Sequence, residues 1–153
     1  MQVNVADIKK LREKTKAGIA DSRKALEDAG GDFKKAEELL KSWGTDIAAK
    51  KADRVVGSGL VETYIHGGGK VGAMVEVNCE TDFVARTDEF KNLAHEVAMQ
   101  ICAMDPKDVE ELAGQEYIRD SGKKVDDLVK EAIAKVGENI KIKRFIRFEL
   151  GSE

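Results

Sequence analysis

Apolar residues recur at helical spacing through the first third of the chain. Ile8, Leu11 and Thr15 share one face after Asp7, and Ala17-Gly18 breaks the pattern. Ile19, Ser22, Leu26 and Ala29 resume it in steps of three and four, and Gly30-Gly31 stops this second helix. Asp32 predicts the N-cap of a third helix, because its carboxylate can accept from the free amides of the first turn. That helix is expected to bury Phe33, Ala36, Leu40 and Trp43 and to end at Gly44. Thr45 is expected to cap a fourth, Ala- and Lys-rich segment through Arg54. It carries too few large apolar residues for a core of its own and reads as a connecting helix.

The period changes from helical to alternating after Gly57-Ser58-Gly59. Leu60 to His66 alternates, with Val61, Thr63 and Ile65 on one face. Gly67-Gly68-Gly69 is a turn. Val71, Ala73, Val75, Val77 and Cys79 then point one way, and Gly72, Met74, Glu76 and Asn78 the other, which predicts a hairpin. Glu80 to Arg86 reads as a loop. Thr87 predicts the cap of a helix whose face is Phe90, Leu93, Ala94, Val97, Ala98, Ile101 and Met104. Asp105-Pro106 ends it and opens a short helix with Val109 and Leu112. Gly114 to Lys124 has no period. Val125, Leu128, Val129, Ala132, Ile133 and Val136 predict another amphipathic helix, closed by Gly137. Ile140, Ile142, Ile146, Phe148 and Leu150 alternate as a third strand, with Arg144 intruding in the apolar row. On this reading Phe33, Phe90 and Phe148 face the core, and Phe145 lies on the opposite sheet face. A hairpin alone is marginal, but a third strand and two packed helices make it viable. The fold class is α+β.

Composition narrows the class. Of 153 residues, 26 are Lys or Arg and 29 Asp or Glu, a net charge of −3. This near-neutral balance argues against a dedicated binder of phosphate backbones, and no direct nucleic-acid partner is expected. Two cysteines are too few for a disulfide framework and fit a reducing compartment. No apolar run approaches the roughly 20 residues of a membrane span. Met1-Gln2-Val3-Asn4 lacks a basic-then-apolar signal pattern. A Met1 start without a transit segment leads to an expectation of bacterial cytoplasm and no membrane partner.

Candidate chemistry is sparse. Cys79 falls on a buried strand face and Cys102 on an amphipathic helix, where free cysteine behaves as a small hydrophobe. His66 and His95 are not paired with them at the short spacings that zinc requires, so no metal site and no cofactor are expected. Gly67-Gly68-Gly69-Lys70 has the glycines of a phosphate loop, but its lysine opens a strand rather than a helix. The basic clusters Lys50, Lys51, Arg54 and Lys141, Lys143, Arg144, Arg147 lack interleaved aromatics and read as solvated faces. The polar connection Glu80-Thr81-Asp82-Phe83-Val84-Ala85 is unusual in holding an aromatic. Phe83 either tucks back onto the hairpin or is presented as a binding anchor.

The run Glu76-Val77-Asn78-Cys79-Glu80-Thr81-Asp82-Phe83-Val84-Ala85-Arg86 resembles the second signature of the bacterial-type elongation factor Ts family. Leu11-Arg12-Glu13-Lys14-Thr15-Lys16-Ala17-Gly18-Ile19-Ala20-Asp21-Ser22-Arg23-Lys24-Ala25-Leu26 resembles its first signature. Ala134-Lys135-Val136-Gly137-Glu138-Asn139-Ile140, with Arg144-Phe145 and Arg147-Phe148-Glu149-Leu150-Gly151, resembles the last core strand and the turn before it. Order and spacing agree along nearly the whole chain.

The resemblance implies a ubiquitin-associated-like three-helix bundle over 1–44, a linker helix over 45–57, and an α+β core over 58–153 with a three-stranded antiparallel sheet packed with helices. It implies guanine-nucleotide exchange on elongation factor Tu, without an active site or catalytic residues of its own. Thr81, Asp82, Phe83 and Val84 would approach the Mg²⁺ site of the partner GTPase, with Phe83 as a wedge. Arg12, Ile19 and Ala20 would grip a helix beside the base pocket, and Val136 would add a contact. Two departures stand out. The family usually has a small residue at Lys16, Lys at Arg23 and a Met pair at Ile19-Ala20, and Ala for Met removes flexible apolar contact area. The span from Ala103 to Val125 is also short. Short relatives dimerise through the sheet, so a homodimer and a two-plus-two complex are expected. The competing readings are a ubiquitin-associated-like adaptor without exchange activity and a thiol hydrolase built on Cys79 and a histidine.

Overall fold

The computed structural model describes residues 3–152. The chain divides into two compact units after Lys50.

In the first unit, Val5–Thr15 forms α1, Ile19–Asp28 forms α2 and Phe33–Lys51 begins as α3. Asn4 caps α1, its Oδ1 accepting from the Asp7 amide at 2.7 Å. The turn after α2 uses Gly30 and Gly31 at positive φ, and the Gly31 amide donates to Leu26 O at 2.8 Å. Asp32 caps α3 as expected, accepting from Lys35 N at 3.1 Å. Leu11, Ala25, Leu26 and Ala36 make the buried centre, with Phe33, Leu40 and Trp43 packed around it.

The expected break at Gly44 is absent, because α3 continues to Lys51. Thr45 does not cap a new helix; its hydroxyl donates back to Lys41 O at 3.1 Å. A mid-helix glycine costs only about 1 kcal/mol relative to alanine, and the helix runs through it. The expected linker helix is therefore the last turns of α3, followed by turn and extended backbone over 52–57.

The second unit is built on an antiparallel sheet of order β1-β2-β5, with β1 Ser58–His66, β2 Val71–Cys79 and β5 Ile140–Glu149. Two longer helices cover its inner face. α5, Asp88–Met104, packs on β1 and β2, and α7, Val125–Val136, packs on α5 and β5. Thr87 caps α5 by accepting from Phe90 N at 3.3 Å. Phe90, Leu93, Ala94, Val97, Ala98 and Ile101 are buried as the periodicity predicts, while Met104 at the helix end is exposed. One turn of α4 (Asp82–Ala85) precedes α5, and α6 (Val109–Gly114) and a small hairpin of β3 (Glu116–Tyr117) and β4 (Asp120–Lys124) lie between α5 and α7 along the chain.

That hairpin occupies the stretch without a period. Its anchors are polar and come from α5. The buried Gln100 donates to Glu116 O and accepts from Ile118 N, each at 3.0 Å, and the Tyr117 hydroxyl donates to Glu96 at 2.5 Å.

β5 does not alternate as one row. Glu76 pairs with Arg144 but Val77 with Ile142, so Lys143 is the extra residue of a β-bulge. Before it, Ile140 and Ile142 face inward. After it, Phe145 and Arg147 face inward, and Ile146 and Phe148 face out with Arg144. The expected places of the two phenylalanines are thus reversed: Phe148 is 70% exposed and Phe145 half-buried. Arg144 is not an intruder in the core, since it pairs with Glu76 at 2.9 Å on the outer face.

Candidate functional site

The end of β2 delivers the chain into α4, where a loop was expected. Thr81 turns it into one helical turn: its backbone is extended and its Oγ1 accepts from Val84 N at 3.3 Å. Val84 and Ala85 drop into the core. Thr81, Asp82 and Phe83 remain outside, and Phe83 is 78% exposed. Phe83 does not tuck back onto the hairpin. A largely exposed aromatic ring on a braced turn has the character of a binding anchor.

A carboxylate far away in sequence braces this turn. Glu138 Oε1 accepts from the Glu80 and Thr81 amides at 3.2 and 3.0 Å, and its Oε2 accepts from the Thr81 hydroxyl at 2.7 Å. Glu80 answers in kind, its Oε2 accepting from Asn139 N at 2.7 Å. Asn139 is buried, and its side-chain amide donates to Ala52 O and Arg54 O at 3.2 and 2.9 Å. Arg54 lies 3.7 Å from Glu80, and Lys51 Nζ donates to Gly137 O at 2.9 Å. The turn 137–139 therefore joins three segments of the second unit: residues 51–54, the start of α4 and the start of β5.

Val136 is the half-buried last residue of α7, two positions before Glu138, and Gly137 closes the helix at φ 78°. Thr81, Asp82 and Phe83 thus share one region with the segment that carries Val136. Val84 stands apart from them as a core residue. Arg12, Ile19 and Ala20 are exposed in the first unit, with Ile19 opening α2 at 61% exposure. Lys16, between α1 and α2, is held at φ 62° with its amide donating to Arg12 O at 2.8 Å.

Glu138 lies in the segment that resembles the family's last turn, but nothing local in the sequence assigns it a role. Its contact spans 57 residues, and no local period marks it.

The thiols are not poised as nucleophiles. Cys79 is buried and donates to Thr81 O at 3.2 Å; burial, then the nearby Glu138 charge, pushes its pKa up. Burial does the same to Cys102, which donates to Tyr64 O at 3.5 Å. His66 instead contacts the Tyr64 hydroxyl at 2.9 Å, and His95 meets the Tyr64 ring edge-on. Lys70 follows a tight turn in which its amide donates to His66 O at 3.2 Å. Among the described residues, no group of three or more His, Cys, Asp or Glu is arranged to hold a metal ion, and no helix is long and apolar enough to cross a membrane.

Residues 80–153, which begin at this turn, match the family model described as Elongation factor TS. An elongation factor Ts of Thermoanaerobacter sp. (strain X514) is 44% identical over 194 aligned positions, covering 97% of this chain and 95% of that protein. One from Thermotoga petrophila is 43% identical, covering 99% and 98%. One from Coprothermobacter proteolyticus is 41% identical, covering 99% and 100%. These alignments have more positions than this chain has residues, so the relatives carry residues that it lacks. The similarity places the chain among the translation elongation factors. It belongs to the elongation factor Ts family.

Proposed function

We propose that this chain is the guanine-nucleotide exchange factor of elongation factor Tu, and that it releases GDP by pressing Phe83 into the GTPase beside its Mg²⁺ and phosphate site. The observation that carries the proposal is the bare Phe83 ring on a turn fixed from below by Val84 and Ala85. Thr81 and Asp82 flank it as polar contacts. Arg12, Ile19 and Ala20 form a second grip from the first unit, and Val136 adds to the contact of the second. Residues 1–44 act as a ubiquitin-associated-like binding bundle and 58–153 as the exchange core.

The mechanism is linkage. Factor and nucleotide each bind the GTPase but disfavour one another, and the coupling is reciprocal. Displacing Mg²⁺ removes the cation that neutralises the phosphates, so the nucleotide leaves faster. Burying one Phe side chain is worth about 1.5–3 kcal/mol. At about 1.4 kcal/mol per factor of ten, Phe83 supplies roughly 10- to 100-fold of the acceleration. Distributed contacts supply the rest. No bond in a substrate is made or broken by this chain, and the work is done in the cytoplasm, where the GTPase cycles.

We further propose a homodimer through the outer sheet face. Three cross-strand rows line it: Val61-Glu76-Arg144, Thr63-Met74-Ile146 and Ile65-Gly72-Phe148. The apolar members are exposed and lie next to one another, with one ion pair at the edge. A contiguous exposed apolar patch of this kind marks an interface, and a second copy offers a surface of the same chemistry.

The exchange proposal is tested by loading elongation factor Tu with a fluorescent GDP and adding the chain with excess unlabelled nucleotide. Accelerated release supports it. Release at the intrinsic rate over a full titration contradicts it.

A further inference from the structure

We propose that Glu138 is a positioning residue for exchange, which acts by holding the helical turn that presents Phe83. The inference rests on the exchange reading above. α4 is four residues long, too short to be stable through its own hydrogen bonds. Phe83 is 78% exposed, so its direction is set mainly by the backbone of α4. That backbone starts at Thr81, and Thr81 is fixed through both its amide and its hydroxyl by one carboxylate. The Thr81 hydroxyl is thereby pinned as a donor to Glu138, which leaves its oxygen free to accept from Val84 N and cap the turn. Glu138 thus also fixes the sense of the cap. Charge-assisted bonds to backbone amides are the strong kind. A wedge already ordered before binding loses less freedom on docking than one that must be ordered by the partner.

The test is a double-mutant cycle on the full chain, read as the maximal rate of GDP release at saturating factor. With Phe83 present, Glu138→Ala is expected to lower that rate about tenfold, the scale of one charge-assisted hydrogen bond. With Phe83→Ala, adding Glu138→Ala is expected to change the rate less than about twofold, because there is no ring left to aim. Equal losses in both backgrounds, or no loss in either, overturn the positioning role and leave the exchange reading standing. A Phe83→Ala protein that releases GDP as fast as the parent overturns the wedge and this proposal together. If Glu138→Ala does not fold by circular dichroism, the same cycle is run with Glu138→Gln. That variant keeps an acceptor for both amides but turns a donor toward the Thr81 hydroxyl. Its expected loss is about threefold with Phe83 and none without it; equal losses in both backgrounds again overturn the role, as does no loss in either.

Discussion

Phe83 and Val84 are neighbours on α4 with opposite environments: the phenylalanine is 78% exposed and the valine 5%. One helical turn thus carries one exposed side chain and one that belongs to the core. Phe83→Ala is expected to leave the melting temperature unchanged. Val84→Ala is expected to cost about 2 kcal/mol, the transfer energy of the lost methyls plus the cavity left behind. Urea unfolding of the two variants checks this, and similar losses in both would show that the ring is also held by the fold.

The outer sheet face gives a prediction of its own. Phe148→Asp places a charge in the row Ile65-Gly72-Phe148. Sedimentation velocity is expected to show twice the chain mass for the parent and the single-chain mass for the variant. A parent that sediments as a single chain at working concentration would remove the proposed dimer.

Two glycines on the β1–β2 hairpin differ in what a methyl group would meet. At Gly59, with φ 147°, a Cβ would lie 2.1 Å from the Val77 carbonyl oxygen, so backbone must move. Gly59→Ala is expected to cost about 3 kcal/mol, combining strained backbone with the forced displacement. At Gly72 the obstacle is the Cδ1 of Ile65 at 2.5 Å, the free end of an exposed side chain. Gly72→Ala is expected to cost under about 1 kcal/mol. Thermal melts of both variants rank them.

Tyr117 makes the small hairpin sensitive to alkali. Burial, the bond to Glu96 and the Glu96 charge push its pKa well above the ordinary tyrosine value of 10.0. As pH rises past that value, the unfolded chain loses the phenol proton while the folded chain keeps it. The unfolded state then binds fewer protons, so stability falls with rising pH. At neutral pH the contribution is fully present, and Tyr117→Phe is expected to cost about 1.5 kcal/mol for a hydrogen bond to a charged group. The gap between parent and variant is expected to narrow as pH rises above about 10. Urea midpoints at neutral pH and at about pH 11 measure it; a gap of constant size would place the stabilisation elsewhere than in this proton.

The elements whose signals are local were legible in the sequence. Asp32 and Thr87 cap the helices that they were expected to cap, and the even alternation of β2 gave its buried face correctly. Features decided by competition or by distant partners were not. Thr45 can cap a helix or bond back within one, and its hydroxyl does the second. One extra residue at Lys143 inverts every side chain that follows it, which strict alternation cannot show. The β3–β4 hairpin is held by Gln100 and Glu96 rather than by its own apolar pattern. At the site, the sequence marked Phe83 as a candidate but left two places open for its ring. The brace from Glu138 was hidden because its partner is 57 residues away.

On the proposed mechanism the exposed ring of Phe83 drives nucleotide release. Stopped-flow release of fluorescent GDP from elongation factor Tu, titrated with the parent chain and with Phe83→Ala, tests it most directly. The variant is expected to bind and saturate still, with a maximal release rate lower by roughly 10- to 100-fold. Equal maximal rates for the two proteins would contradict it.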